Sequence, residues 1–226
     1  MKLTSVKKQI TAWIPKYAIV PILLMVAVNF LVYAGTRPIT NKMLHYDISG
    51  QLDYCLPFLP VFVIPYILAY LQWIIGYVMV ARYDRGYCYR VIFGEILSKL
   101  LIAVIFLLFP TTMLREEVFG QDLFSKMVIF LYKIDAPTNL FPSIHCLESY
   151  ICMKTALEMK NISRKYQLSM CLMSILVFMS TVFIKQHVIL DFIGAVIVAE
   201  TGRMLSELYY SYKEKQGLYE ERGNII

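Results

Sequence analysis

Six apolar stretches divide this chain and leave little room for anything else. They cover residues 17–34, 56–80, 91–113, 143–157, 168–184 and 188–205. A membrane-spanning helix needs roughly 20 apolar residues, because the hydrocarbon core is about 30 Å thick and a helix rises about 1.5 Å per residue. Six such helices with short loops use up a chain of 226 residues, so no separate soluble domain fits. The expected fold is all-α, a polytopic bundle of six transmembrane helices. Residues 1–16 form a basic N-terminus, 17–207 the membrane domain, and 208–226 a polar, frayed tail.

Composition supports this. Hydrophobic residues make up 58% and charged residues 17%, with a mean hydropathy of +0.59. Soluble domains run at about 45–50% apolar and about 25% charged. A disordered chain is excluded and a soluble globular domain is disfavoured. The N-terminal basic residues followed by an apolar run also fit a secretory signal. The run is longer than a signal core and further spans follow, so an uncleaved first span is expected.

The net charge of +6 has a membrane explanation, since cytoplasmic loops carry excess Lys and Arg. With the N-terminus inside, the inner segments and adjoining helix ends hold fourteen Lys and Arg and the outer ones six. Both termini are then cytoplasmic. Trp13, Tyr17, Tyr83, Tyr87, Tyr89, Tyr209 and Tyr210 fall at the inner headgroup level. No basic stripe with interleaved aromatics points to nucleic acid. The five cysteines are widely spaced, with no CxxC pair, so neither a disulfide framework nor a zinc site is read. The longest outer loop, 114–141, carries an apolar patch at 123–131 that suits a short interfacial helix. Pro60 and Pro65 fall inside the second span as kinks.

Ionisable groups at membrane depth are costly, so their positions point to function. Three clusters come to the outer face. Residues 141–145 (Phe-Pro-Ser-Ile-His) open the fourth span. The free N–H groups of a first helical turn, with the Ser143 hydroxyl, make an anion site, and His145 sits in the same turn. A plain helix start beside a surface histidine is the other reading. Residues 180–191 join the last two spans. His187 and Asp191 are four apart, on one helix face, where a carboxylate can fix the imidazole tautomer and leave the other nitrogen as nucleophile or base. A structural His–Asp pair, with Lys185 snorkelling to the interface, is equally compatible. At the outer end of the third span, Arg115 is either a phosphate clamp or a headgroup contact. Together the clusters supply an anion-binding helix start, two histidines, a carboxylate and two cations. That set suits phosphoryl transfer through a covalent intermediate.

Pro142-Ser143-Ile144-His145 resembles the second signature of the type 2 phosphatidic acid phosphatase superfamily. Ser180 with His187 and Asp191 resembles the third, in which a Ser-Arg pair precedes His-x3-Asp by five residues; five residues separate Thr181 from His187 here. Residues 135–141 (Asp-Ala-Pro-Thr-Asn-Leu-Phe) are similar to the branch that includes sphingomyelin and inositol phosphorylceramide synthases. The resemblance covers residues 109–194. It implies that His187 is the nucleophile, Asp191 orients it, His145 is the general acid, and Ser143 with nearby N–H groups holds phosphate oxygens. It implies no metal and no cofactor. The first family signature is Lys-x6-Arg-Pro; Leu108 stands at its lysine, Arg115 matches its arginine and Glu116 replaces its proline. Thr181 stands where the third signature has arginine, with Ser180 and Thr181 left as supports. Arg115 and Lys185 are therefore expected to bind phosphate.

The expected activity is a lipid phosphate phosphatase of the cell membrane with its site on the extracytoplasmic side. Its expected partners are a lipid phosphate and the bilayer, and not nucleic acid; oligomeric state is not read from the sequence. A lipid acceptor in place of water would make it a headgroup phosphotransferase. A non-catalytic lipid-binding protein on the same scaffold is a further reading. A small transporter is disfavoured, since only one span is interrupted by prolines. His45, in the first outer loop, reads as a solvated loop histidine.

Overall fold

A computed structural model describes residues 13–223, with side chains through Gly217. The chain is predominantly helical. Its elements are α1 (Lys16–Thr40), α2 (Gln51–Cys55), α3 (Val63–Tyr83), α4 (Arg85–Leu108), α5 (Leu123–Ile134), α6 (Ile144–Glu158), α7 (Arg164–Phe183) and α8 (Ile189–Gly223). Two short strands, β1 (Tyr46–Asp47) and β2 (Thr111–Thr112), pair in parallel with Tyr46 opposite Thr111.

Among the described residues, four helices are long and apolar enough to cross a membrane: α1, α3 with the turn before it (Pro60–Tyr83), α4 and α7. They suggest a membrane protein. The fourth and sixth expected spans are of another kind. α6 has 15 residues, about 22 Å of helix, and carries Glu148, Lys154 and Glu158. α8 carries Asp191, Glu200 and Arg203 in its first half. Both are packed among other helices: α6 against α3, α7 and α8, and α8 against α4 and α6. Their charges explain the placement, because polar groups in an apolar medium must find partners inside the protein.

α4 and α8 lie close enough to touch backbone to backbone. A Cβ on Gly202 would sit 2.3 Å from the Gly94 carbonyl oxygen and 2.1 Å from Ser98 Oγ. Across this seam Ser98 Oγ donates to the Val198 carbonyl at 3.2 Å, and Ser206 Oγ to the Arg90 carbonyl at 2.7 Å. α1 and α3, by contrast, splay. At one end Ala18 and Met25 pack with Tyr77, Val80 and Ala81 in a single cluster, and the Tyr17 hydroxyl donates to the Ala81 carbonyl. Further along, the two helices part around a cavity.

Several boundaries differ from expectation. Pro60 and Pro65 start the second long helix instead of kinking it: Pro60 opens a 3-10 turn, and Pro65 sits in the first turn of α3, where a missing N–H costs nothing. The patch at 123–131 becomes the whole of α5, capped by Asp122, which accepts from Phe124 N and Ser125 N. The tail is helical as far as Gly223, held in part by Arg90 pairing with Glu207 and Glu214. Most of the basic N-terminus, residues 1–12, lies outside the described residues. The strand pair departs from an all-α expectation; it ties the loop after α1 to the loop after α4.

Replacing Gly202 by Val should destabilise the bundle by roughly 3 kcal/mol, because the obstruction on the facing helix includes rigid backbone. Denaturant unfolding in detergent measures this; an unchanged midpoint would mean the seam opens freely.

Candidate active site

The turn between α7 and α8 sets His187. Gln186 N and His187 N both donate to the Thr181 carbonyl at 2.9 Å, and Lys185 adopts a left-handed conformation with φ 51°. α8 then begins with two carboxylates on its free N–H groups. Val188 N donates to Asp191 Oδ2 at 3.1 Å, and Ile189 N to Asp53 Oδ1 at 2.8 Å. A negative group at a helix N-terminus also favours the helix dipole. Asp191, fully buried, lies with Oδ2 2.9 Å from His187 Nδ1. An imidazole that donates from Nδ1 keeps its Nε2 lone pair free.

Ser143 N donates to the Asp191 carbonyl at 3.1 Å, joining the start of α6 to the start of α8. A side chain on Gly194 would collide with the Phe141 ring, 2.4 Å from an ideal Cβ, so this approach too needs glycine. The Phe141–Pro142 peptide is cis, and Pro142 directly precedes the N-cap Ser143, two residues before the first helical position, Ile144. Ser143 Oγ accepts from Cys146 N. His145, two residues into the chain from that cap, stacks on Tyr66 at 4.2 Å between ring centroids and meets the edges of Tyr70 and Trp73. Its Nε2 is buried without a partner.

His145 and His187 line one cavity of about 440 Å³ between α1, α3 and α5. Val26, Phe30, Phe106, Leu131 and Ile134 give it an apolar side. Asp135 is also in its wall; Oδ1 accepts from the Tyr33 hydroxyl at 2.5 Å and from Arg37 Nη2 at 2.6 Å. Burial pulls the Asp135 carboxyl upward, but the bonds from Tyr33 and Arg37 outweigh it and hold its pKa below the ordinary range. The pair therefore stays ionised from neutral pH well into the acid range and loosens only as pH falls through that lowered value.

The two expected phosphate cations are not among the residues lining this cavity. Lys185 Nζ donates to the carbonyls of Asp53 and Leu56, both at 2.8 Å, and lies 3.9 Å from Glu116. The left-handed backbone points the side chain toward α2, so the expected phosphate contact is replaced by a structural one. Arg115 donates to the Asp135 carbonyl at 2.5 Å and to Gln186 Oε1, with its guanidinium over the Tyr132 ring. Burial draws its pKa below the ordinary value, opposed by Asp135. Both cations line a separate cavity of about 110 Å³ beside Asp53 and Glu116. Ser143 is fully buried and serves as a cap. Ser180 and Thr181 are buried, their hydroxyls donating to the carbonyls of Val177 and Phe178; Thr181 supports the turn through its own carbonyl.

The structure thus brings together His145, His187 and Asp191 and leaves Lys185, Arg115, Ser143 and the Ser180–Thr181 pair behind the wall. It adds Asp135, Tyr33, Tyr66, Tyr70 and Trp73, which were not assigned roles from sequence. Tyr66, Tyr70 and Trp73 recur at i, i+4 and i+7, one face of a helix, and that spacing was open to view. No protein-family model matches the chain, and neither does any curated protein or solved structure.

Lys185→Ala should lower stability by about 2 kcal/mol, since it orphans two carbonyls held by a charged donor. Unfolding in detergent measures it; full stability would show those two bonds to be idle.

Proposed function

We propose that this chain is a six-span membrane enzyme of the type 2 phosphatidic acid phosphatase kind, breaking a lipid phosphate bond through a phosphohistidine on His187. The observation that carries the reading is the His187–Asp191 contact of 2.9 Å at a cavity whose wall also holds His145. α6 and α8 complete the six spans as the inner, charged members. The loop charge bias puts both termini in the cytoplasm and the histidines on the extracytoplasmic side of the cell membrane.

The chemistry follows from the two imidazoles. Asp191 holds the Nδ1–H tautomer of His187, and Nε2 attacks phosphorus. The bond to the leaving oxygen breaks as that oxygen takes a proton from His145. Water then gives a proton back to His145 and attacks the phosphohistidine, releasing phosphate and free His187. The apolar side of the cavity, between splayed α1 and α3, suits the lipid part of the substrate, whose tails remain in the bilayer. The Thr138 hydroxyl, without a partner, and Asn29 line the cavity as neutral groups for phosphoryl oxygens.

One observation favours a second outcome on the same intermediate. Asp135 is a carboxylate in the cavity wall, while Lys185 and Arg115 are engaged elsewhere. A site so lined tolerates a singly charged phosphodiester better than a doubly charged monoester. A lipid alcohol in place of water would then make the enzyme a headgroup transferase.

The test is phosphate release by purified protein in EDTA from phosphatidic acid, lysophosphatidate and a polyprenyl pyrophosphate. Release that falls at least about 10³-fold in His187→Asn supports the phosphatase. Headgroup transfer to diacylglycerol or ceramide, without release, supports the second outcome. Neither activity, in protein that binds lipid phosphate, overturns catalysis. His145→Ala should lower kcat by roughly 10²–10⁴-fold, the usual share of a general acid; an unaltered kcat removes it from that role.

A further inference from the structure

Outside the histidine cavity, three charges are buried together where α3, α4 and α6 meet. Lys99 is 0% exposed, Glu95 1% and Glu148 4%. Lys99 Nζ lies 2.5 Å from Glu95 Oε1 and 2.5 Å from Glu148 Oε1. The Tyr77 hydroxyl donates to Glu148 Oε2. Glu148 therefore has both oxygens satisfied. Glu95 has only one, and its Oε2 is buried with no partner.

Two carboxylates and one ammonium leave one negative charge uncompensated, at a depth where an unpaired charge costs several kcal/mol. Among the described residues no free cation cancels it. On α4, Arg90 is paired with Glu207; on α8, Arg203 is paired with Glu200; on α6, Lys154 lies 3.6 Å from Glu158 and 3.8 Å from Glu200. The other titratable groups around the cluster, the Cys152 thiol and the Tyr77, Tyr87 and Tyr150 hydroxyls, carry no positive charge. A metal cation is disfavoured, because the Lys99 ammonium already occupies the place between the carboxylates. Glu95 also lines a cavity of about 40 Å³, whose walls include Thr155, Tyr87 and Tyr150. That is room enough for a water.

We propose that Glu95 Oε2 is a proton-binding site that holds one proton at neutral pH, exchanged through this cavity. The cluster is then a neutral set of one ammonium, one carboxylate and one carboxylic acid. It stands apart from the proposed catalysis, although Glu148 follows His145 by three residues on α6 and Tyr77 follows Trp73 by four on α3. The proton sits one helical turn from the rings around His145.

Infrared difference spectroscopy of the purified full chain tests this through the carbonyl band of a protonated carboxylic acid. The wild type should show such a band at neutral pH, moving in D2O. It should vanish in Glu95→Gln, which keeps the shape of the neutral acid and so the fold. It should vanish equally in Glu148→Gln, because one carboxylate then balances one ammonium. Lys99→Met should double it, since both carboxylates then need protons. A band absent from the wild type, immobile in D2O, or persisting in either Gln variant would overturn the proposal. If Lys99→Met does not fold, the two Gln variants decide the matter alone.

Discussion

A polar group at bilayer depth has no water to turn to, so it must be satisfied inside the protein. In this chain that constraint sorts the helices. α1, α3, α4 and α7 offer long apolar faces, while the short, charged α6 is drawn into their midst. Its polar side chains are then used as ties. Trp73 Nε1 on α3 donates to Ser149 Oγ at 3.0 Å, and Ser174 Oγ on α7 donates to the Ser149 carbonyl at 2.7 Å. Gln72 Nε2 on α3 reaches Ser174 Oγ at 2.7 Å. With the Lys99 cluster, these bonds lock α6 to three neighbours and thereby fix where its first turn presents His145.

The histidine end is assembled by a different device, carboxylates and carbonyls placed on helix starts. Asp53 comes from α2, Asp191 from α8 itself, and the Asp191 carbonyl in turn receives Ser143 N. Three stretches far apart in sequence are thus bound to one point, and beside it Ile48, Leu140 and Val188 from the same stretches pack with Met113. The paired strands add a second link between the outer loops. His187 is held both by this hydrogen-bonded knot and by the apolar cluster that includes its neighbour Val188.

Much of this was legible beforehand, and the remainder was hidden for identifiable reasons. Apolar runs disclosed all the principal helices, because length and hydropathy govern them. The i, i+4 spacing of His187 and Asp191 disclosed their contact, since helix geometry alone decides it. The shortness of α6 was visible in its apolar run, residues 143–157, which matches the helix Ile144–Glu158 almost residue for residue; what the run did not disclose is how its charged side chains find partners on neighbouring helices. A two-residue strand has no pattern to detect. Asp135 stood in plain sight as a loop residue, but its place in the cavity depends on α1, about a hundred positions away. Nearness of Lys185 to His187 in sequence says nothing of direction: Lys185 is itself left-handed, and its side chain reaches the carbonyls of Asp53 and Leu56.

Lys185 carries a lasting conflict. A backbone φ of 51° belongs to the region where glycine is at ease and a residue with a Cβ is strained. Its ammonium, meanwhile, is what joins Asp53 and Leu56 to the turn. Glycine would relax the backbone and sever the join; a short or neutral residue would keep the strain and lose the reach or the charge. The position is frustrated by construction, a spring held shut by a clasp. Because His187 lies two residues on, the placing of its ring and the spring's tension are settled by the same side chain.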